Sequence, residues 1–305
     1  MFSKLRTFRP LNLFIIALIF FLVRYCIIMP AFITEYHNTG VFPQHMTKPE
    51  FFVLLFATLM IAAGGYVIND VFDINIDAMN KPGKNAIGKS FSIESAKLTS
   101  YILFTIGSIA GIALSFRLHV TAMGLLLPFS AVSLFMYSSH FKRRLLIGNF
   151  IIALLSALSV LLVAFFEPGF YPNIQFVLVY ATFAFFISLI REIIKDAEDM
   201  DGDELVQCKT FPIMFGIRKT KLLLSLLIML NLAVICYFLS IYFYHNTVIG
   251  FWYLVAIFAI PFFALGYLVS AAEIKKDFQY ASAFAKFVML YGLLTMVPFY
   301  WYFLK

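Results

Sequence analysis

Phe51 to Ile68, FFVLLFATLMIAAGGYVI, carries no charge and runs directly into Asn69-Asp70-Val71-Phe72-Asp73-Ile74-Asn75-Ile76-Asp77. An apolar run of about 18 residues or more has the length of a membrane-crossing helix. The stretch therefore reads as a span that delivers three carboxylates at its mouth. At about 100° per residue, positions 70, 73 and 77 fall within roughly a 60° arc, so on a continuing helix all three side chains point the same way. Like charges so placed repel unless a cation sits among them. The spacing recurs at Asp196, Asp199 and Asp203, again after an apolar run, Phe176 to Ile190. Solvated loop acids would account for one triad. Two of identical spacing point to oxygen ligands for a hard divalent metal, with Mg²⁺ carrying a substrate phosphate as the expected occupant.

The rest of the chain agrees with a membrane setting. Hydrophobic residues make up 62% of the 305 positions, aromatics 18% and charged residues only 13%, far too apolar for a soluble protein of this length. Windows of about 20 residues place nine spans, at roughly 11–31, 51–70, 98–116, 119–138, 147–166, 174–192, 221–243, 248–270 and 284–303. The expected fold class is all-α, one polytopic transmembrane domain over residues 1–305, because in lipid each helix satisfies its own backbone. The net charge of +7 does not indicate nucleic acid. With the N-terminus inside, every Lys and Arg lies on the inner side except Lys48, Arg117 and Lys305 outside and Arg24 within the membrane. That bias is the positive-inside rule, and it puts both acidic triads on the cytoplasmic face, as a composite site requires. The first apolar stretch follows Lys4, Arg6 and Arg9 but is too long for a signal peptide and lacks a small-residue cleavage pattern, so it reads as a retained helix. Cys26, Cys208 and Cys236 are scattered, with no nearby His, and support neither a disulfide framework nor a zinc site. No obligate protein partner is evident.

Other residues carry weaker signals. Pro10 suits a first helical turn, and Asn12 must find a partner inside the bundle, either another helix or a substrate. Arg24 is costly near mid-membrane and is either functional or snorkels outward. Residues 32–50 form the longest outer loop and receive no chemistry. Gly64-Gly65 lets another backbone come close. The loop Asn80-Lys81-Pro82-Gly83-Lys84-Asn85-Ala86-Ile87-Gly88-Lys89 offers lysines either to phosphate oxygens or simply to the inner surface. Lys142-Arg143-Arg144 is the densest cationic run and suits a diphosphate. Arg191 and Lys195 lie one turn apart beside Asp196 and Asp199, as salt-bridge partners or as phosphate ligands. The aromatics Phe251, Trp252, Tyr253, Phe262 and Phe263 read mainly as lipid-facing or packing residues.

Asn69-Asp70-x-x-Asp73-x-x-x-Asp77 resembles the NDxxDxxxD motif of the UbiA superfamily of intramembrane prenyltransferases, and Lys195-Asp196-x-x-Asp199-x-x-Gly202-Asp203 resembles its KDxxDxxGD motif. Asn12, Lys142-Arg143, Gly148-Asn149, Lys209-Thr210 and Gly216 extend the likeness over most of the chain. The resemblance implies a helical barrel with a lipid-open cavity capped by the two motif loops, holding Mg²⁺ and an isoprenyl diphosphate. It implies that Asp70, Asp73, Asp196 and Asp199 hold the metals with Asn69, Asp77 and Asp203 assisting. It further implies that Lys142, Arg143 and Lys195 meet the diphosphate, and that released diphosphate leaves an allylic cation for an acceptor to attack. Members acting on aromatic rings often have Tyr four residues before the motif Lys; Arg191 stands there instead. The run Arg-Glu-Ile-Ile-Lys-Asp-Ala-Glu-Asp with Lys-Thr-Phe-Pro-Ile resembles the branch that prenylates a glycerol ether phosphate, for which an extra cation is apt. Lys84-Asn85 departs from the Arg-Pro of many relatives. Three readings follow: an Mg²⁺-dependent ether-lipid prenyltransferase, transfer to an aromatic acceptor such as 4-hydroxybenzoate, and, from another class, a cation-coupled transporter. The transporter is disfavoured because the acids lie at helix ends on one side.

Overall fold

The computed structural model describes residues 2–80, 85–169, 174–205, 207–243 and 248–301. Among these the structure is helical, with one isolated bridge, Ile87 to Phe91, and no named strand. Eight helices in the described residues are long and apolar enough to cross a membrane: α1 Pro10–Thr39, α2 Lys48–Phe72, α4 Ile93–Arg117, α5 Thr121–Ser139, α6 Ile147–Phe165, α7 Ile174–Glu198, α9 Phe211–Ile241 and α11 Lys275–Phe299. Short helices α3 Ile74–Asn80 and α8 Met200–Leu205 follow the two acidic motifs. α10, Val248–Ala271, contributes a shorter apolar segment over Val255–Ala271. The nine windows read from composition thus correspond to eight spans and this shorter helix.

Several boundaries differ from the hydropathy windows. α1 extends to Thr39, so much of the expected outer loop is helical. α9 begins at Phe211 and α11 at Lys275, each well before its apolar window. Hydropathy reports the length that lipid must cover; backbone hydrogen bonding carries a helix past it.

Two compact units make up the chain: Met1–Lys142 with Leu158–Leu178 and Met296–Lys305, and Arg143–Ala157 with Val179–Thr295. In the first unit α2 packs closely on α4. A Cβ added at Gly64 would stand 3.0 Å from the Phe104 ring and 3.1 Å from the Ser100 carbonyl oxygen, and one at Gly107 would stand 2.7 Å from the Ala57 carbonyl oxygen. Small residues let the two backbones approach where no hydrophobic effect drives helices together. Ser100 Oγ uses that approach to donate to the Gly64 carbonyl at 2.8 Å.

A buried ion pair fixes another part of the same unit. Arg24 lies in a π-helical stretch, Val23–Ile28, and pairs with Glu167. It also donates to the Met46 carbonyl at 2.5 Å and lies 4.9 Å from the Phe51 ring centroid. Met46 N–H donates to the second Glu167 oxygen at 2.7 Å, and Gly169 N–H donates to the Gln44 carbonyl at 3.1 Å. The snorkelling alternative is therefore corrected: Arg24 is buried, with 3% of its side chain exposed, because Glu167 supplies the counter-charge inside. Burial pushes the Glu167 carboxyl above its ordinary range, with Arg24 and the Met46 amide pulling the other way. The second unit holds α8, α9 and α10 with most of α7 and α11; Gly216, at φ 78°, kinks α9.

Candidate active site

Each acidic motif straddles a break between a long helix and a short one. α2 ends at Phe72 and α3 starts at Ile74, leaving Asp73 at the junction with φ −92° and ψ 4°. α7 ends at Glu198 and α8 starts at Met200, leaving Asp199 at the junction. The backbone bonds run through both breaks at the same spacing. Asp73 N–H donates to Asn69 at 3.0 Å and Asp77 N–H to Asp73 at 2.7 Å, while Asp199 N–H donates to Lys195 at 2.9 Å and Asp203 N–H to Asp199 at 3.1 Å. The uninterrupted helix expected from periodicity is thus replaced by a helix, a one-residue break and a further turn. Among the described residues no three His, Cys, Asp or Glu side chains converge as a metal cluster.

In the first unit the three acids have different partners. Arg9 Nη2 donates to Asp70 Oδ1 at 2.9 Å. Asp73, 4% exposed, accepts from Asn69 Nδ2 at 2.7 Å and forms an ion pair with Lys142. Asn85 Nδ2 donates both to Asp77 Oδ2 and to the Asp70 carbonyl, each at 2.9 Å, and Asn85 Oδ1 receives Ile87 N–H at 2.9 Å. Carboxylates that would repel one another are thereby held by two cations and two amides. Burial disfavours the charge on Arg9, but the Asp70 carboxylate together with Tyr66 and Asp73 outweighs it, and the guanidinium pKa stands above its ordinary value. Asn12 is half-buried in the first turn of α1, its N–H on the Arg9 carbonyl at 2.9 Å.

The donor set suits a hard cation. Its acids present only oxygen, and Asn69 Oδ1 is buried with no hydrogen-bond partner, an acceptor of the kind that an oxygen-coordinated Mg²⁺ can use. In the second unit Asn149 Nδ2 donates to Asp196 Oδ2 at 2.8 Å. Asp203 is 7% exposed, and its carbonyl receives Cys208 N–H at 2.9 Å. Arg191 Nη1 donates to Glu192 at 2.9 Å, and its Nε is buried with no partner. Lys195 and Asp199 are half-buried. Arg143 and Arg144 are exposed, and the Arg143 carbonyl receives Lys209 N–H at 2.9 Å. Within the cationic run Lys142 meets a motif acid of its own unit.

Arg9 and Asn85 in the first unit and Asn149 in the second each hold a motif acid of their own unit, and the sequence pattern does not mark any of the three as a site residue. The nearest signals are indirect: Arg9 opens the turn that leads to Asn12, Asn149 follows Gly148 within the family likeness, and Asn85 is a departure from Arg-Pro. Lys81 to Lys84 lie outside the described residues, as do the side chains of Phe251 and Tyr253.

The UbiA prenyltransferase family model matches residues 28–290. The chain belongs to that family. It is accordingly an integral membrane enzyme that transfers prenyl groups, and the transporter reading falls away. Digeranylgeranylglyceryl phosphate synthase of Sulfurisphaera tokodaii is 31% identical over 242 residues, covering 79% of this chain and 81% of that protein. A solved structure reported for digeranylgeranylglyceryl phosphate synthase in membranes is 25% identical, covers 98% of both chains and gives a TM-score of 0.61. A UbiA homologue from Archaeoglobus fulgidus bound to DMAPP and Mg²⁺ is 16% identical with a TM-score of 0.60, covering 97% of this chain and 99% of that one. This last likeness is one of fold.

Proposed function

We propose that this UbiA-family enzyme transfers an isoprenyl group, geranylgeranyl, from its diphosphate to a prenylglyceryl phosphate in an Mg²⁺-dependent reaction on the cytoplasmic side of the membrane. The whole chain serves as one prenyltransferase domain. Asp70, Asp73, Asp196 and Asp199 hold the metal, with Asn69, Asp77 and Asp203 supporting them. When bound, Mg²⁺ supplies charge neutralisation for the leaving diphosphate. Lys142, Arg143 and Lys195 add cationic donors to its oxygens, where positive charge favours the ionising C–O bond. The acceptor hydroxyl then forms the ether bond at the allylic carbon, and diphosphate and a proton are released. Asn12 is assigned a weaker part in binding the prenyl diphosphate.

The observation that carries the choice of acceptor is Arg191. Its buried Nε has no partner, so a donor is available to an acceptor phosphate, and charge-assisted bonds of this kind are the strong ones. The relatives named digeranylgeranylglyceryl phosphate synthase support the same acceptor class.

The test incubates detergent-solubilised protein with radiolabelled geranylgeranyl diphosphate, Mg²⁺ and either geranylgeranylglyceryl phosphate or 4-hydroxybenzoate. Product with the glyceryl phosphate alone is expected, and it should vanish in Asp70→Ala and Asp196→Ala. Product with the aromatic acid alone would overturn the acceptor assignment and make transfer to an aromatic ring the activity.

A further inference from the structure

Arg9 is the residue the proposed reaction leaves unused, yet it is held in a costly position. Its backbone is left-handed, φ 49° and ψ 63°, although Arg9 carries a Cβ and precedes Pro10. Both circumstances disfavour that conformation. Such strain persists only where surrounding contacts hold it. Here the guanidinium lies 5.0 Å from the Tyr66 ring centroid and donates to Asp70 at 2.9 Å. Tyr66 and Asp70 lie one turn apart on α2, so one helix face supplies both contacts. More than a third of the Arg9 side chain, 38%, stays exposed, against 14% for Asp70. The cation is therefore anchored on a carboxylate of the proposed metal site while part of its side chain stays accessible.

The neighbouring acid repeats the arrangement. Asp73 carries Lys142 and accepts from Asn69 Nδ2, while Asn69 Oδ1 is left without a partner. Three carboxylates in one motif cannot stand uncompensated, and a cation that satisfies a carboxylate competes with a metal for it. A guanidinium also offers a planar fork suited to phosphate oxygens.

Resting on the prenyl-diphosphate reading above, we propose that Arg9 is a counter-ion in exchange: it neutralises Asp70 in the empty site and passes to a diphosphate oxygen when the metal takes that carboxylate. The exchange separates two effects that a structural role would join. Removing Arg9 removes a competitor for Asp70, so metal alone binds more tightly. It also removes a donor to diphosphate, so diphosphate binds more weakly.

The experiment is titration calorimetry on the full-length detergent-solubilised chain, using Mg²⁺ alone and then inorganic diphosphate at saturating Mg²⁺. Arg9→Gln should tighten Mg²⁺ about fivefold, or roughly 1 kcal/mol, the scale of a part-exposed ion pair. It should weaken diphosphate about tenfold. Shifts in the same direction, or no shift in either, overturn the proposal. If Arg9→Gln does not fold, Arg9→Lys, which keeps the charge but loses the fork and the ring contact, must show the same opposed shifts at smaller size; parallel or absent shifts again overturn it. A wild-type chain that binds neither Mg²⁺ nor diphosphate would instead overturn the prenyl-diphosphate reading itself.

Discussion

Replacing Glu167 by Gln leaves Arg24, 3% exposed at its side chain, without its counter-charge inside the first unit. Breaking a buried pair from one side costs about 3–5 kcal/mol, because the stranded charge stays desolvated. Arg24→Met strands Glu167, 0% exposed, and should cost a similar amount. The double variant Arg24→Met/Glu167→Met removes both charges at once. Its remaining penalty is the Met46 N–H and C=O that lose their partners, about 1–3 kcal/mol. The double variant should therefore be more stable than either single, with a coupling of about 3 kcal/mol or more. Equilibrium unfolding in mixed micelles, followed by far-ultraviolet circular dichroism, reads all four proteins. pH adds an independent check. The folded-state pKa of Glu167 lies above the usual carboxyl value, so the folded state holds the proton more tightly than the unfolded chain. The stability linked to this group is full below the unfolded value and is lost as pH rises through the folded one. Removing Arg24 raises that pKa further, so the deficit of Arg24→Met against wild type should be smaller at about pH 5 than at about pH 8. Additive single variants, or a deficit that grows on acidification, would refute the assignment of Arg24 and Glu167 as a buried, mutually dependent pair.

Other outcomes follow from the same geometry. Asn85→Ala removes the donor shared by Asp77 and the Asp70 carbonyl, so the Mg²⁺ concentration for half-maximal activity should rise about 10- to 100-fold, the usual scale for losing a group that orients a metal ligand; a magnesium titration of initial rates measures it. Asn149→Ala, which strips Asp196 of its amide donor, should have an effect of similar size in the same titration. Gly107→Leu drives a side chain against the Ala57 carbonyl and Ile61, and should destabilise the chain by about 1–3 kcal/mol in the same unfolding measurement.

The acids are legible in the sequence because the motif is local: two identical spacings, each at the end of an apolar run, need no tertiary information. The uninterrupted helix that the spacing suggests does not form, since periodicity records which face a residue occupies and not whether the ladder bends at Asp73 or Asp199. Gly64 is legible as a point of close approach, though Ser100 as the group that comes close is not. Lys142 stands out within a cationic run. That it meets Asp73, while Arg143 and Arg144 are exposed, depends on the path of the 3-10 turn Phe141–Arg143.

By itself the sequence determined the all-helical membrane class, the span positions to within a turn or two at most ends, both acidic motifs and the family resemblance. These follow from hydropathy and spacing, which act over a few turns of chain. Only the tertiary structure decided what neutralises those acids and what neutralises Arg24. Arg9 reaches Asp70 across 61 positions, Lys142 reaches Asp73 across 69, and Glu167 reaches Arg24 across 143. No periodicity extends that far. A buried charge requires a partner, and the fold of the chain selects which of the distant candidates arrives.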